Sequence, residues 1–215
     1  GHAMSGTGPK AGGPFYLQRL SQLTNWQKPT VDTPASIDHA GLGKVQHLAR
    51  KLLVSDAEQA TFDAIVQQAI NSSLNEAVAV LPGPTGEANT LSWRAPQSVA
   101  MYGGNLADSL VALAVLALNS VIAQVCPSHA LADYAADLEG VLQVVEQPAA
   151  DMNDVIVALS DMPADERLRF ADLDGSIRRI INATSGLDMT RLYHEISQSY
   201  NTTAAGGNAS LMASA

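Results

Sequence analysis

Three groups of residues in this sequence have types and spacings that could do chemistry. The first is arginine-rich: Glu166 to Arg179 reads E-R-L-R-F-A-D-L-D-G-S-I-R-R. Read as one helix, Arg167 and Arg178 lie about three turns apart and share a face, while Arg169 and Asp172 are i, i+3 neighbours. A planar guanidinium can hold a phosphate bidentately; the plainer alternative is a solvated face of Arg/Asp pairs, each worth little. The second is Asp108, the one charge in the apolar run Leu106 to Val125. An unpaired buried carboxylate is costly, so it must cap a helix, pair, or lie at a subunit contact. The third is the scattered set of His39, His47, His129 and His194, with Asp151 to Asp154 (D-M-N-D) and the lone Cys126. The histidines lack the clustering of a metal site, and D-M-N-D lacks the Gly and Glu of a calcium loop. There is no G-x-S-x-G, no phosphate-cradling glycine loop and no dinucleotide fingerprint, and Gly103-Gly104 reads only as a turn. The expectation is therefore that the protein is not an enzyme.

Composition narrows the classes further. Of 215 residues, 47% are apolar but only 5% aromatic, so the core must be built of Leu, Val, Ile and Ala, which suits close-packed helices. With 12 Lys+Arg against 21 Asp+Glu the net charge is -9, so any nucleic-acid contact needs a local arginine cluster rather than a global basic field. One cysteine excludes an intrachain disulfide. Gly1-His2-Ala3-Met4 reads as a cloning scar.

The elements that must position these residues read as follows. Leu106 to Val125 is expected as one central buried helix; its Asp, Ser, Asn and Gln residues and the absence of flanking Lys/Arg clusters argue against a membrane span. Ser5 to Pro14 is Gly/Pro-rich, and Phe15 to Trp26 has the spacing of a short amphipathic helix. Ser36 to about Leu53 reads as a helix weakened by Gly41 and Gly43. Ser55-Asp56-Ala57-Glu58 is a capping box opening a helix to about Val80. Leu91 to Met101 is extended and broken by Pro96. Helices are expected over Ala130 to Gln147, from Pro163 to about Ala183, and over Asp188 to Tyr200, with a further turn or two at Met152 to Leu159. The fold class so predicted is all-α, a four-helix bundle with a small extended patch. Residues 1–14 form a flexible arm with the scar, 15–200 the bundle, and 201–215 an exposed tail.

Two stretches give this order of elements a likeness. R-A-P-Q-S-V-A-M-Y-G-G-N-L-A-D-S-L-V-A-L (Arg94 to Leu113) and R-F-A-D-L-D-G-S-I-R-R-I-I-N (Arg169 to Asn182) resemble segments of the coat proteins of rod-shaped plant RNA viruses, of the tobacco-mosaic-virus and benyvirus type. S-L-N-E-A-V, ending at Val78, is similar to the end of that family's second helix. Ala95 stands where the family has an aromatic, and the family's arginines on the helix after the Asp and its Arg-x-x-Phe-Glu element have no counterpart. The resemblance implies a subunit that assembles with copies of itself as a helical rod around single-stranded RNA. It implies phosphate contacts from Arg169 and Arg178, an orienting or ribose contact from Asp172, and supporting roles for Arg167 and Arg179. It also implies an inter-subunit carboxylate pair of Glu76 and Asp108 that shares a proton or a calcium ion, with no other cofactor or metal. The location implied is the virion and host cytoplasm, with no membrane partner. The alternatives are a flexible-filament coat and a non-viral helical-bundle accessory protein without an RNA role.

Overall fold

The computed structural model describes residues 40–81, 86–148, 155–172 and 178–201. The expected helix at 15–26, the D-M-N-D stretch and nearly all of the C-terminal tail lie outside them. Helix α1 spans Ala40–Leu52 and α2 spans Asp56–Ser72, opened by Ser55, whose side chain accepts from the Glu58 N–H. Strands β1 (Val78–Leu81) and β2 (Glu87–Arg94) follow, then β3 (Ser98–Tyr102), α3 (Leu106–Leu118) and β4 (Ile122–Val125). A 3₁₀ turn at Ala132–Tyr134 leads to β5 (Leu142–Val144) and β6 (Val155–Ala158). Helix α4 (Ala164–Ala171), β7 (Arg179–Asn182), a second 3₁₀ turn (Met189–Arg191) and β8 (His194–Asn201) complete the order.

The architecture is mixed α/β, which overturns the expected four-helix bundle. Five strands form an all-parallel sheet in the order β5-β4-β3-β6-β7, and β1-β2-β8 form a separate antiparallel sheet. The physical reason lies in short apolar runs, whose periodicity does not separate a buried strand from a buried helix. V-I-V-A at 155–158 is wholly buried because it is a central strand of a sheet covered on both faces. Val99, Met101, Val155, Val157 and Ile181 point into the main core on the α3 side, and Ala100, Ile156 and Ala158 point to a second core under α4, with Met162 and Phe170. That alternation is the period of two that a strand imposes.

The central apolar run splits accordingly. Helix α3 stops at Leu118, Asn119 caps it, Ser120 adopts φ +57, and Ile122–Val125 continues as a strand. Helix α3 is apolar all round, as a helix enclosed between a sheet and the helices α1 and α2 must be. No helix among the described residues is long and apolar enough to cross a membrane. The expected helix over Asp188 to Tyr200 is instead the 3₁₀ turn plus β8, held by eight register pairs with β2 from Glu87↔Asn201 to Arg94↔His194. One of these pairs, Trp93↔Glu195, is buried and joined by a hydrogen bond from Trp93 Nε1 to Glu195 Oε1 at 3.2 Å. A polar knot ties α2, α3 and β8 together: Tyr193 OH and Ser73 Oγ both donate to Asn119 Oδ1, at 2.7 and 2.9 Å, and Leu74 N–H donates to Tyr193 OH at 3.0 Å.

Candidate functional site at the carboxyl ends of the parallel sheet

In sheet order the strands run third, second, first, fourth, fifth along the chain, so the connections leaving β3 and β6 diverge to opposite faces. At such a switch point, outside the carboxyl ends of the strands, doubly wound domains hold their ligands. Three segments meet there: the Gly103-Gly104 turn after β3, His129 after β4, and Leu159-Ser160 after β6.

The turn is tightly built. Gly103 and Gly104 have φ of +66° and +89°, a region that costs L-residues. A Cβ on Gly103 would lie 2.0 Å from Ser160 Oγ, and one on Gly104 would lie 2.8 Å from Leu159 Cβ. Both glycines are therefore favoured by conformation, and Gly104 also by a close approach that no side-chain rotation relieves. Buried His129 locks the turn from the other side, with Nε2 3.0 Å from the Gly103 carbonyl oxygen. Its Nδ1 accepts from the Leu131 N–H at 3.2 Å, so the proton sits on Nε2, which donates to Gly103 O. Burial lowers the His129 pKa, and the Gly103 hydrogen bond opposes that shift. The ring is thus a neutral clamp.

After the turn, Asn105 caps α3: its Oδ1 accepts from the Asp108 N–H at 2.9 Å and its Nδ2 donates to Asp108 Oδ2 at 2.8 Å. A cleft of about 380 Å³ opens beside this first turn, walled by Phe62, Ile65, Val111 and Leu159, with the carboxylates of Glu58 and Asp108 among its lining. A pyrophosphate site would need glycines at the first, third and sixth positions of the turn and a bare helix N-terminus. Here the third and sixth positions are Asn105 and Asp108. Asp108 puts a carboxylate in the first turn of α3, and β4 ends at Val125, followed by Cys126 rather than by an acid for a ribose. The strand order is that of doubly wound domains, while the turn after β3 does not carry the full glycine fingerprint of a dinucleotide site.

The residues expected from sequence fall elsewhere, except Asp108. Arg167, Arg169 and Asp172 lie on or at the end of α4, which stops at Ala171, while Arg178 immediately precedes β7 and Arg179 opens it. The expected single helical face linking Arg167 to Arg178 does not exist, because Ile180 and Ile181 pair in parallel with β6. Arg169 forms an ion pair with Glu166 at 3.0 Å and lies over the Phe170 ring. The Arg167 guanidinium donates to Met162 O, and that of Arg179 donates to Arg191 O and Leu192 O. Glu76 sits at φ +63 beside the carboxyl end of α3, where its neighbour Asn75 donates to Asn119 O, whereas Asp108 is at the amino end. A 13-residue helix separates the two acids, so one chain does not bring them to a common proton or calcium ion. Among the described residues no group of three or more His, Cys, Asp or Glu is placed to hold a metal. His129 and the glycine turn went unread as site residues. Their signal was the order of V-A-M-Y, Gly-Gly, Asn and an apolar helix, which is a strand, a tight turn and a capped helix.

The class defined by the fold is thus a doubly wound α/β domain with a modified switch point. No protein-family model matches the chain. The chain is 32% identical over 235 residues to the bifunctional protein PutA of Escherichia coli, covering 99% of this chain and 17% of that protein. It is 31% identical over 226 residues to PutA of Klebsiella aerogenes and 32% identical over 231 residues to PutA of Rhizobium meliloti, covering 96% and 99% of this chain. The chain spans about a sixth of the length of these curated relatives, 17% to 18%. Among solved structures, proline utilization A from Corynebacterium freiburgense overlaps 92% of this chain and 18% of its own, at 18% identity and a TM-score of 0.47. An NAD-dependent benzaldehyde dehydrogenase from Corynebacterium glutamicum overlaps 69% of this chain and 41% of its own, at 14% identity and a TM-score of 0.46.

These relatives overturn the viral reading. They are bacterial PutA proteins, not coat proteins, so the expectations of RNA packaging, helical self-assembly and a virion or host-cytoplasm location are withdrawn with it. The flexible-filament and helical-bundle accessory alternatives fall with the all-α fold. The expectation of no enzymatic role is withdrawn with the viral reading, because the relatives are bifunctional PutA proteins. The likeness rested on short degenerate motifs. Their Arg, Asp and Tyr residues serve here as strand ends, a helix cap and packing, as in the edge-on contact of Tyr102 with Phe170.

Proposed function

We propose that this chain works as one domain of a PutA-type proline-utilization enzyme, and that its switch point does not hold a nucleotide. The observation that carries the first half is the sequence relation to PutA over 99% of this chain, at about a sixth of the relative's length. The second half rests on Asp108. An anionic side chain at the first turn of α3, bonded to the helix cap, occupies the position from which a helix dipole would attract a phosphate.

On this reading the domain serves the larger enzyme through its fold and surfaces. Deleting the coding sequence for residues 40–201 in the native host should stop or markedly slow growth on proline as sole nitrogen source, with growth restored by the intact gene. Unchanged growth on proline would overturn the assignment. Titrating NAD into the purified chain in a calorimeter tests the second half: no heat of binding up to millimolar NAD is expected, and micromolar binding would refute it.

A further inference from the structure

The exposed face of α1 carries an unusual concentration of positive charge for an acidic protein. Lys44, Arg50 and Lys51 fall within eight residues of a chain whose net charge is -9, with His47 between them. Lys44, His47 and Lys51 have i, i+3, i+7 spacing and share one face, the two lysines about 10 Å apart along the axis. They line a concavity of about 430 Å³ together with Gly43, Leu48 and Asp137. Arg50 and Lys51 alone could be explained as favourable charges at the carboxyl end of the helix. Lys44 and His47 are too far from that end for the dipole to account for them.

Three features make this concavity more than a solvated face. First, the Lys44 ammonium is already positioned: Nζ donates to the Glu139 carbonyl oxygen at 2.6 Å, which leaves two N–H groups to offer. Second, no ion pair joins His47, Arg50 or Lys51 to a carboxylate among the described residues. Third, Gly43 has no packing role. A Cβ on Gly41 would meet Val141 Cγ2 at 3.2 Å, so that glycine is needed for close helix packing, whereas a Cβ on Gly43 would meet nothing within 4 Å. A mid-helix glycine costs about 1 kcal/mol relative to alanine, and here no contact within the chain offsets it. What it leaves is exposed backbone among the residues lining the concavity, where a ligand could approach closely.

We propose that this concavity is a binding site for a phosphomonoester carrying hydroxyl groups. Lys44 and Lys51 take the phosphoryl oxygens, and His47 lies between them. The Asp137 carboxylate, also among the lining residues, disfavours a bare anion and accepts a hydrogen bond from a ligand hydroxyl. The site is on α1, away from the carboxyl-end crevice, and stands whether or not the PutA assignment does.

The test is an NMR titration of the purified chain at pH 7.5 with glycerol 3-phosphate as probe, followed at the His47 ring protons. A saturable shift is expected, and the double variant Lys44→Gln/Lys51→Gln should weaken binding about tenfold or more. Asp137→Asn should tighten binding of inorganic phosphate while leaving that of glycerol 3-phosphate unchanged or weaker. A non-saturating response at 20 mM probe would overturn the site, as would a double variant that binds like the parent. Tightening of both ligands by Asp137→Asn would overturn the hydroxyl contact. Unchanged far-ultraviolet circular dichroism in each variant separates lost binding from lost folding, and Arg94→Gln, on another element, serves as the charge control.

Discussion

Replacing Gly104 by alanine tests how closely the ends of β3 and β6 are held. Two costs apply. The residue sits at φ +89, and forcing an L-residue into the left-handed region costs about 1–2 kcal/mol. The new Cβ would also lie 2.8 Å from Leu159 Cβ, 3.0 Å from Leu159 Cδ1 and 3.2 Å from Ser109 Oγ. Leu159 Cδ1 can rotate away, but Leu159 Cβ is fixed by the backbone, which the hydrogen bond from Leu159 N–H to Tyr102 O holds at 2.9 Å. Relief therefore means parting the two strand ends, an overpacking cost of about 1–3 kcal/mol. Gly140 separates the two contributions, because it has φ +81 but open space around the Cβ position. Gly140→Ala should lose only the conformational part, about 1–2 kcal/mol, and Gly104→Ala about 2–5 kcal/mol. Gly103→Ala should fall between them, since the offending Ser160 Oγ can turn aside at a rotamer cost of about 1 kcal/mol. Urea unfolding of the three variants measures this directly: with a slope of about 2 kcal/mol/M, Gly104→Ala should lower the midpoint by 1 M or more. If Gly104→Ala is no more destabilising than Gly140→Ala, the close approach at the switch point is wrong.

Three further outcomes are expected. Asn119→Leu removes the shared acceptor of Tyr193 OH and Ser73 Oγ and should cost about 2–4 kcal/mol in thermal or urea unfolding, because buried donors are left without partners; a loss under 1 kcal/mol would contradict the knot. Ser109→Ala removes a buried hydroxyl that has no hydrogen-bond partner, so its unfolding free energy should match or exceed the parent's, by up to about 1 kcal/mol. The His129 pKa is lowered in the folded state, so between that value and the unfolded value of about 6.5 the unfolded chain binds more protons. The His129 contribution to stability should accordingly be fully present above about pH 6.5 and be lost on acidification through the folded pKa; His129→Gln should flatten that limb, and an unaltered pH profile would count against the buried neutral clamp.

Local chemistry was readable from the sequence alone. The Ser55 helix cap, the chain break at Pro96 and the helical start of the apolar run at Leu106, though not its end at Leu118 short of the expected Val125, follow from nearest-neighbour physics. So did the awkwardness of Asp108, which the structure answers with a cap bond from Asn105. Whether a four-residue run such as V-I-V-A or R-I-I-N becomes helix or strand was not decided locally. It depends on a parallel partner supplied from dozens of residues away, as Ala100↔Ile156 and Ile156↔Ile180 show. The same holds for the site. Gly103 and Gly104 are a generic turn until β6 brings Leu159 and Ser160 against them, and His129 is an ordinary histidine until β4 lies beside β3. Side-chain types and caps are properties of the chain's own neighbourhood, but strand pairing and the crevice it creates come from long-range register, which burial of both sheet faces selects.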